Sequence, residues 1–164
     1  MGQVRNGLRA YALKAPGPGA AMADLRAMDE QLEELVFATV TYIVYDPRTG
    51  TGTLTSAGHL PTLVLDGAGG ARFTDAPRCP PLGSGATAPC REHAFSLEPG
   101  GALVLYTDGL VESRTRSLDD GLGRLAALAR RSGADIQRLA DEIVEVLPEE
   151  RQDDIAVLAL RRNR

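Results

Sequence analysis

The sequence is poor in the residues that mark several common classes of protein. It has no tryptophan, only two cysteines and a single lysine, Lys14, in 164 residues. No apolar run approaches the roughly 18 residues that cross a membrane, and residues 1–5 lack the apolar core of a signal peptide. The formal net charge of −4 argues against a surface for nucleic acid or anionic lipid. We therefore expect a cytoplasmic protein that contacts neither membrane nor nucleic acid.

The two cysteines, Cys79 and Cys90, flank a segment rich in proline and glycine. Their spacing matches no common metal site, and no catalytic histidine and asparagine accompany them. In the reducing cytoplasm we expect two free thiols. A disulfide between them is geometrically feasible but not expected in that compartment.

Hydrophobic residues make up 43% of the chain, which is enough for one domain with a buried core, and we expect a single domain over residues 1–164. Apolar periodicity predicts two helices, six strands, two more helices and a last strand. The helices are predicted at 4–13, 20–35, 122–131 and 135–147, and the strands at 37–45, 51–56, 62–65, 71–74, 91–97, 103–106 and 155–160. Asp135 is expected to cap the last helix. Residues 74–91 are expected to form a surface loop without chemistry.

Carboxylates stand at the ends of two of these strands. Asp108, followed by Gly109, comes directly after the apolar run 103–106, and Asp153 and Asp154 come directly before the run 155–160. If the two strands pair antiparallel, the three carboxylates lie at one edge of the sheet, where they repel one another unless a cation neutralises them. Oxygen ligands select magnesium or manganese. The alternative is that Asp108 only ends a turn and Asp153 or Asp154 only caps a loop.

Four segments, in order, resemble the SpoIIE-type protein serine/threonine phosphatases, the bacterial branch of the metal-dependent type 2C (PPM) superfamily. Residues 97–112, LEPGGALVLYTDGLVE, resemble the family's strand signature. Residues 56–61, 81–83 and 153–158 are similar to its Asn-Ala-Gly-His-x-Pro segment, its Pro-Leu-Gly turn and its closing Asp-Asp-Ile-Thr strand. The resemblance implies an α+β fold, an α/β/β/α sandwich of two antiparallel sheets flanked by helices.

The resemblance also implies a function. Two manganese or magnesium ions would activate water to hydrolyse phosphoserine or phosphothreonine, and Asp108 and Asp153 match the family's metal ligands. Asp154 and Gly109 would be neighbours that orient those ligands. The implied partner is a phosphorylated regulatory protein such as an anti-sigma-factor antagonist. His59 is interpreted as a structural loop residue, because the family's site is built from carboxylates.

The chain departs from the family pattern at its start. The family's Gly-Asp metal motif and its Asp-x-x-Gly-His-Gly segment are both absent from the sequence. Two explanations stay open: residue 1 lies inside a longer phosphatase, or the chain is a non-catalytic module that binds a phosphoprotein. A third alternative is a small sensory or scaffold domain. Sheet edges exposed by missing strands would invite another chain to pair, which leaves a homodimer open.

Overall fold

The computed structural model describes residues 2–31, 37–86, 88–113, 117–133, 135–146 and 154–163. Four helices are described, at Gly2–Ala12 (α1), Pro18–Asp29 (α2), Leu118–Ser132 (α3) and Ile136–Val146 (α4). The described strands are Val40–Asp46 (β1), Thr51–Ala57 (β2), Leu63–Leu65 (β3), Ala71–Phe73 (β4), Arg78–Cys79 (β5), His93–Ser96 (β6), Ala102–Tyr106 (β7) and Val157–Arg161 (β8). A 3-10 turn follows β7 at Asp108–Leu110.

The chain divides into two compact units. The first unit comprises Met1–His59 and Asp75–Ser96, and the second comprises Leu60–Thr74 and Leu97–Arg164. Each unit combines one sheet with two helices, and most strand pairs in both sheets are antiparallel. The predicted α+β class therefore applies to each unit. No helix in the described ranges is long and apolar enough to cross a lipid bilayer.

In the first unit, β2 is the central strand. It pairs antiparallel with β1 and β6 and parallel with the short strand β5. The strands predicted at 37–45 and 51–56 correspond to β1 and β2, which form a hairpin whose turn ends at Gly50, where a positive φ of 77° favours glycine. Helices α1 and α2 cover the sheet with an apolar cluster formed by Val4, Met22, Leu25, Ala38, Ala57, Cys79 and Leu82.

The prediction of two free thiols is wrong. Cys79 and Cys90 form a disulfide, with their Cα atoms 4.8 Å apart. The segment expected to be a plain loop contains β5, which places Cys79 beside Ala57 of β2. The guanidinium of Arg26 donates hydrogen bonds to the carbonyl oxygens of Pro80 (2.7 Å) and Ala86. The pairing of β5 with β2 and the hydrogen bonds of Arg26 hold this segment in place. The spacing of the two cysteines in the sequence reveals neither of these contacts.

In the second unit, the strand order is β4-β3-β7-β8 and every pair is antiparallel. β7 lies between β3 and β8, and most of its residues are buried. Helices α3 and α4 cover one face of this sheet. The buried cluster between them contains Leu63, Leu65, Ala102, Val104, Tyr106, Val111, Leu125, Ala126, Leu128, Ala129, Leu139 and Ile143.

Two helix starts illustrate how local chemistry sets the boundaries. Asp135 caps α4 as predicted, because its Oδ1 accepts hydrogen bonds from the backbone N–H groups of Gln137 and Arg138, each at 3.1 Å. Helix α3 begins at Leu118, four residues before the predicted start, because the hydroxyl of Ser117 accepts a hydrogen bond from Asp120 N at 3.2 Å. Of the second predicted helix, residues 32–35 lie outside the described residues.

Candidate functional site

The candidate site lies where β7 ends. Asp108 follows this strand after one residue and opens the 3-10 turn Asp108–Leu110. Its backbone carbonyl accepts hydrogen bonds from Val111 N (2.9 Å) and Glu112 N (2.8 Å), which fix the backbone of the turn. Asp108 is exposed, so its carboxylate is accessible to a ligand from solvent. The strand anchors the backbone while the charged group stays hydrated, which avoids the cost of burying a lone carboxylate.

Asp108 also makes a local hydrogen bond. One carboxylate oxygen, Oδ1, accepts the backbone N–H of Gly109 at 2.9 Å. A glycine after an acidic residue favours a sharp turn, and the chain turns here in a right-handed 3-10 conformation. Gly109 has no positive φ, unlike Gly100 at the turn before β7. The turn therefore does not depend on the conformational freedom of glycine at position 109.

β7 and β8 pair antiparallel, the arrangement under which the carboxylates at their ends share one edge of the sheet. Their register places Tyr106 opposite Val157 and Ala102 opposite Arg161. The end of β7 and the beginning of β8 consequently meet at one edge of the sheet. Asp154 lies at this edge and is exposed. The predicted ligand Asp153 falls outside the described residues, so its role stays a prediction.

Thr107 joins the two strand ends and was missed by sequence reasoning. Its hydroxyl donates a hydrogen bond to the carbonyl oxygen of Asp154 and accepts one from the backbone N–H of Ala156, both at 2.9 Å. Its own backbone N–H donates to the carbonyl of Ala156 at 3.1 Å. The hydroxyl thus holds the entrance of β8 against the residue that precedes Asp108. The only sequence signal was a threonine at the end of an otherwise apolar run.

The donor chemistry of this edge suits a hard divalent cation, because its exposed side chains Asp108 and Asp154 offer carboxylate oxygens. Within the described ranges, however, no group of three or more histidine, cysteine, aspartate or glutamate side chains is gathered closely enough to hold a metal ion. A magnesium or manganese ion here would need Asp153 or further ligands in addition.

His59 lies in the loop that follows β2. Its Nδ1 shares a hydrogen bond of 2.9 Å with the hydroxyl of Thr39, and its carbonyl oxygen accepts a 3.5 Å hydrogen bond from Ser56. These contacts connect neighbouring segments of the first unit. They agree with the interpretation of His59 as a structural residue.

Comparison with known protein families identifies the chain. Residues 1–163 match the family model described as Stage II sporulation protein E (SpoIIE). The chain belongs to the SpoIIE family. The resemblance carried by the four sequence segments is thereby confirmed, and the model covers almost all of the chain.

Solved structures share the SpoIIE-family fold. A structure of the RsbU and RsbW domains of a Mycobacterium tuberculosis protein superposes with a TM-score of 0.87 at 29% identity, covering 99% of this chain. The PP2C phosphatase domain of SpoIIE from Bacillus subtilis gives a TM-score of 0.77 at 13% identity, covering 98%. RsbX in complex with magnesium gives 0.71 at 14% identity, covering 98% of this chain and 71% of its own. The predicted fold class is confirmed by these superpositions.

The chain spans 47% of the M. tuberculosis structure and 48% of the B. subtilis structure, which is about half the length of each. Metal ions occur in this family of structures: one RsbX structure holds magnesium, and one SpoIIE phosphatase domain was presoaked with manganese.

Proposed function

We propose that this chain is a metal-dependent phosphatase domain of the SpoIIE type that hydrolyses phosphoserine or phosphothreonine on a regulatory protein. The observation that carries the proposal is the match of residues 1–163 to the SpoIIE family model. The position of Asp108 supports it, because an exposed carboxylate at the end of a buried strand is held by a rigid element and still reaches a ligand.

Asp108 and Asp153 are the residues that would hold the metal, and Asp154 would help to orient them. Manganese or magnesium, when bound, supplies a water of lowered pKa and neutralises charge on the phosphoryl group during in-line attack. The contribution of the protein is to position the carboxylates that would hold the metal. Thr107 holds the start of β8 to the end of β7, so it fixes the backbone of Asp154 relative to that of Asp108. No nucleophilic side chain is needed for such a reaction.

The proposed substrate is a phosphorylated anti-sigma-factor antagonist or a similar regulatory phosphoprotein. The family neighbours include RsbU, RsbX and a structure described under the bacterial stressosome. These names apply to the neighbouring structures and not to this chain. Because the neighbours are regulatory proteins, they support a regulatory protein as the substrate of this chain. The net charge of −4 is compatible with a site that relies on a bound cation to attract a phosphorylated partner.

A second candidate function is a non-catalytic module that binds the phosphoprotein. It is favoured by one observation: within the described residues, no group of three metal-ligating side chains comes together. Such a module would bind the phosphorylated partner and leave its phosphate in place. Binding and turnover, measured side by side, separate the two functions.

The test is a manganese titration by calorimetry together with hydrolysis of a phosphoserine protein substrate. Asp108→Asn removes one anionic ligand without changing size, and we expect turnover to fall at least about 100-fold with weaker manganese binding. Thr107→Val removes the hydroxyl link to β8 and should weaken manganese binding about 10-fold. Asp24→Asn, an exposed carboxylate on α2, is the matched control and should change neither.

Three outcomes are informative. Turnover that depends on manganese and is lost in Asp108→Asn supports the phosphatase. Tight binding of the phosphorylated partner without turnover at any manganese concentration supports the binding module. Equal turnover in wild type and Asp108→Asn would overturn the assignment of this strand end as the site.

A further inference from the structure

The disulfide between Cys79 and Cys90 anchors a segment that has no regular backbone pairing of its own. Cys79 belongs to β5 and is 3% exposed, whereas Cys90 is partly exposed and lies outside the helices and strands. Residues 83–86 and 88–90, here called the latch segment, are in neither a helix nor a strand. Because the sequence has two cysteines, a thiol reductant has one target in this chain.

The latch segment and the residue that follows it by two positions contact α2 at both of its ends. Towards the end of the helix, the guanidinium of Arg26 donates a hydrogen bond to the carbonyl oxygen of Ala86. At its start, the backbone N–H of Gly19 donates a 2.8 Å hydrogen bond to the carboxylate of Glu92. This N–H is one of the first-turn donors that have no acceptor within a helix. The carbonyl oxygen of Cys90 also packs on Gly19, 3.3 Å from the position of a Cβ there.

Other contacts hold the residues on either side of the latch segment. Leu82 exchanges two backbone hydrogen bonds with Ala38, of 2.9 and 3.3 Å. The hydroxyl of Thr55 donates a 3.2 Å hydrogen bond to the carbonyl oxygen of Arg91. Both contacts are independent of the disulfide. Breaking the disulfide is therefore expected to open the chain locally, between these two fixed points, without unfolding the unit.

The surroundings of Cys79 also suit the reduced state. Its Sγ lies 3.4 Å from the carbonyl oxygen of Ser56, to which a thiol can donate a hydrogen bond. The same sulfur lies 4.0 Å from a guanidinium nitrogen of Arg26, whose positive charge stabilises a thiolate. A disulfide sulfur has neither a proton to donate nor a negative charge. Both neighbours therefore stabilise the reduced form more than the oxidised form.

A dithiol reductant can open this bond by thiol–disulfide exchange. Its thiolate attacks Sγ of Cys90, the more exposed of the two residues, and the electron pair of the broken S–S bond passes to Sγ of Cys79 beside Arg26. The second thiol of the reductant then attacks the mixed disulfide and releases Cys90. The chain gains two electrons and two protons, and the reductant leaves as its own disulfide.

We propose that the Cys79–Cys90 pair is a reversible redox latch. The disulfide fixes the latch segment against α2, and reduction by a dithiol releases this segment and uncovers the N–H of Gly19, while the unit stays folded. Every contact that carries this proposal lies within the first unit. The proposal goes beyond the proposed phosphatase activity and does not depend on it.

The first test is reduction of the wild-type chain by dithiothreitol without denaturant. After an acid quench, free thiols are counted by alkylation in denaturant and mass spectrometry, and circular dichroism follows the fold. We expect two thiols after reduction, an unchanged helical signal, and return of the disulfide when oxidised glutathione is added. A bond that is reduced only in the presence of urea, or a reduced chain that loses its helical signal, overturns the proposal.

The second test measures amide hydrogen exchange at Gly19 by nuclear magnetic resonance. Exchange should be at least about tenfold faster in the reduced than in the oxidised wild-type chain, because Cys90 and Glu92 no longer cover this N–H. The amide of Leu125, on α3 in the second unit, should be unaffected. Equal exchange at Gly19 in the two redox states overturns the proposal.

The matched control is the double variant Cys79→Ser and Cys90→Ser, which cannot form the disulfide. Its Gly19 amide should exchange at the rate of the reduced wild-type chain, and dithiothreitol should not change that rate. Circular dichroism verifies that the variant folds. A folded variant in which Gly19 exchanges as slowly as in the oxidised wild-type chain would show that the disulfide does not control this end of α2, and that result also contradicts the proposal.

Discussion

The two units use similar parts but are stabilised differently. Each has a sheet covered by two helices, yet the first unit closes an irregular segment with the Cys79–Cys90 disulfide and the hydrogen bonds of Arg26. The second unit relies on an apolar core between its sheet and α3 and α4, and it keeps its exposed carboxylates at the end of β7. In the first unit, a segment with little strand pairing is held by a disulfide and by side-chain hydrogen bonds. In the second unit, the apolar core holds the sheet, and the end of β7 can carry an exposed carboxylate.

The largest effect is expected from Gly121 in the second unit. This buried glycine of α3 packs directly on the backbone of Val111, and a Cβ at position 121 would overlap the Val111 carbonyl oxygen. Alanine normally stabilises a helix relative to glycine. Here we expect Gly121→Ala to lower the free energy of unfolding by at least about 3 kcal/mol, because backbone must move to admit the methyl group. Urea denaturation measures this change.

Gly123 provides the matched control two residues further along α3. It is exposed, and a Cβ there would meet no atom within 4 Å. Gly123→Ala should raise the free energy of unfolding by about 0.5–1 kcal/mol. If both substitutions raise the free energy of unfolding, the close contact between Gly121 and the backbone of Val111 does not restrict the residue at position 121.

The next effect concerns the covalent link of the first unit. Replacing both Cys79 and Cys90 with serine removes a cross-link across a sequence separation of 11 and should cost about 2–4 kcal/mol. The reason is the larger conformational freedom of the unfolded chain without the cross-link. Urea denaturation of the variant should match that of the wild-type chain in reductant. An unfolding midpoint unaffected by reductant would show that Arg26 and packing suffice to close this segment.

The smallest effect is electrostatic and lies in the second unit. The side chain of Arg138 donates a 2.7 Å hydrogen bond to Glu142, which also accepts a 3.0 Å hydrogen bond from Ser132. The Arg138 hydrogen bond, followed by that of Ser132, lowers the pKa of Glu142 from its usual 4.5. A lowered pKa means that this contribution to stability is present above pH 4.5 and is lost as the pH falls through the folded-state value.

Arg138→Met tests this contribution. The melting temperature of the variant should lie slightly below that of the wild type at pH 7, and the difference should shrink as the pH is lowered below 4.5, the usual pKa of Glu142. Arg124→Met, at an exposed arginine of α3, is the control and should show no such pH dependence. A difference that is constant from pH 7 to pH 3, measured by circular dichroism, would contradict the assignment.

Much of the second unit follows from its sequence. The apolar run of β7 and the acidic residue after it predict a buried strand with Asp108 at its exit, and the structure places them so. The antiparallel pairing with β8 was only a condition in the sequence argument, and the structure meets it. These features depend on local pattern and on the strong preference of apolar strands for burial. The ligand roles of Asp108 and Asp153 stay predictions.

The features that sequence reasoning missed depend on contacts between distant residues. Thr107 bonds to Asp154, 47 positions away, and Arg26 bonds to Pro80, 54 positions away. A single threonine or arginine carries no sign of such a partner. The short strand β5 has two residues, too few for a periodic pattern, and it exists because β2 offers it an edge.

The sequence by itself determined most helices and strands and the position of Asp108 at a strand end, because turn chemistry and apolar periodicity act over a few neighbouring residues. The family followed separately, from the resemblance of four segments to known sequences. Only the tertiary structure decided that Cys79 and Cys90 join and that Thr107 couples β7 to β8. Each of these depends on which segments meet after the chain has folded, and that is set by the packing of whole elements.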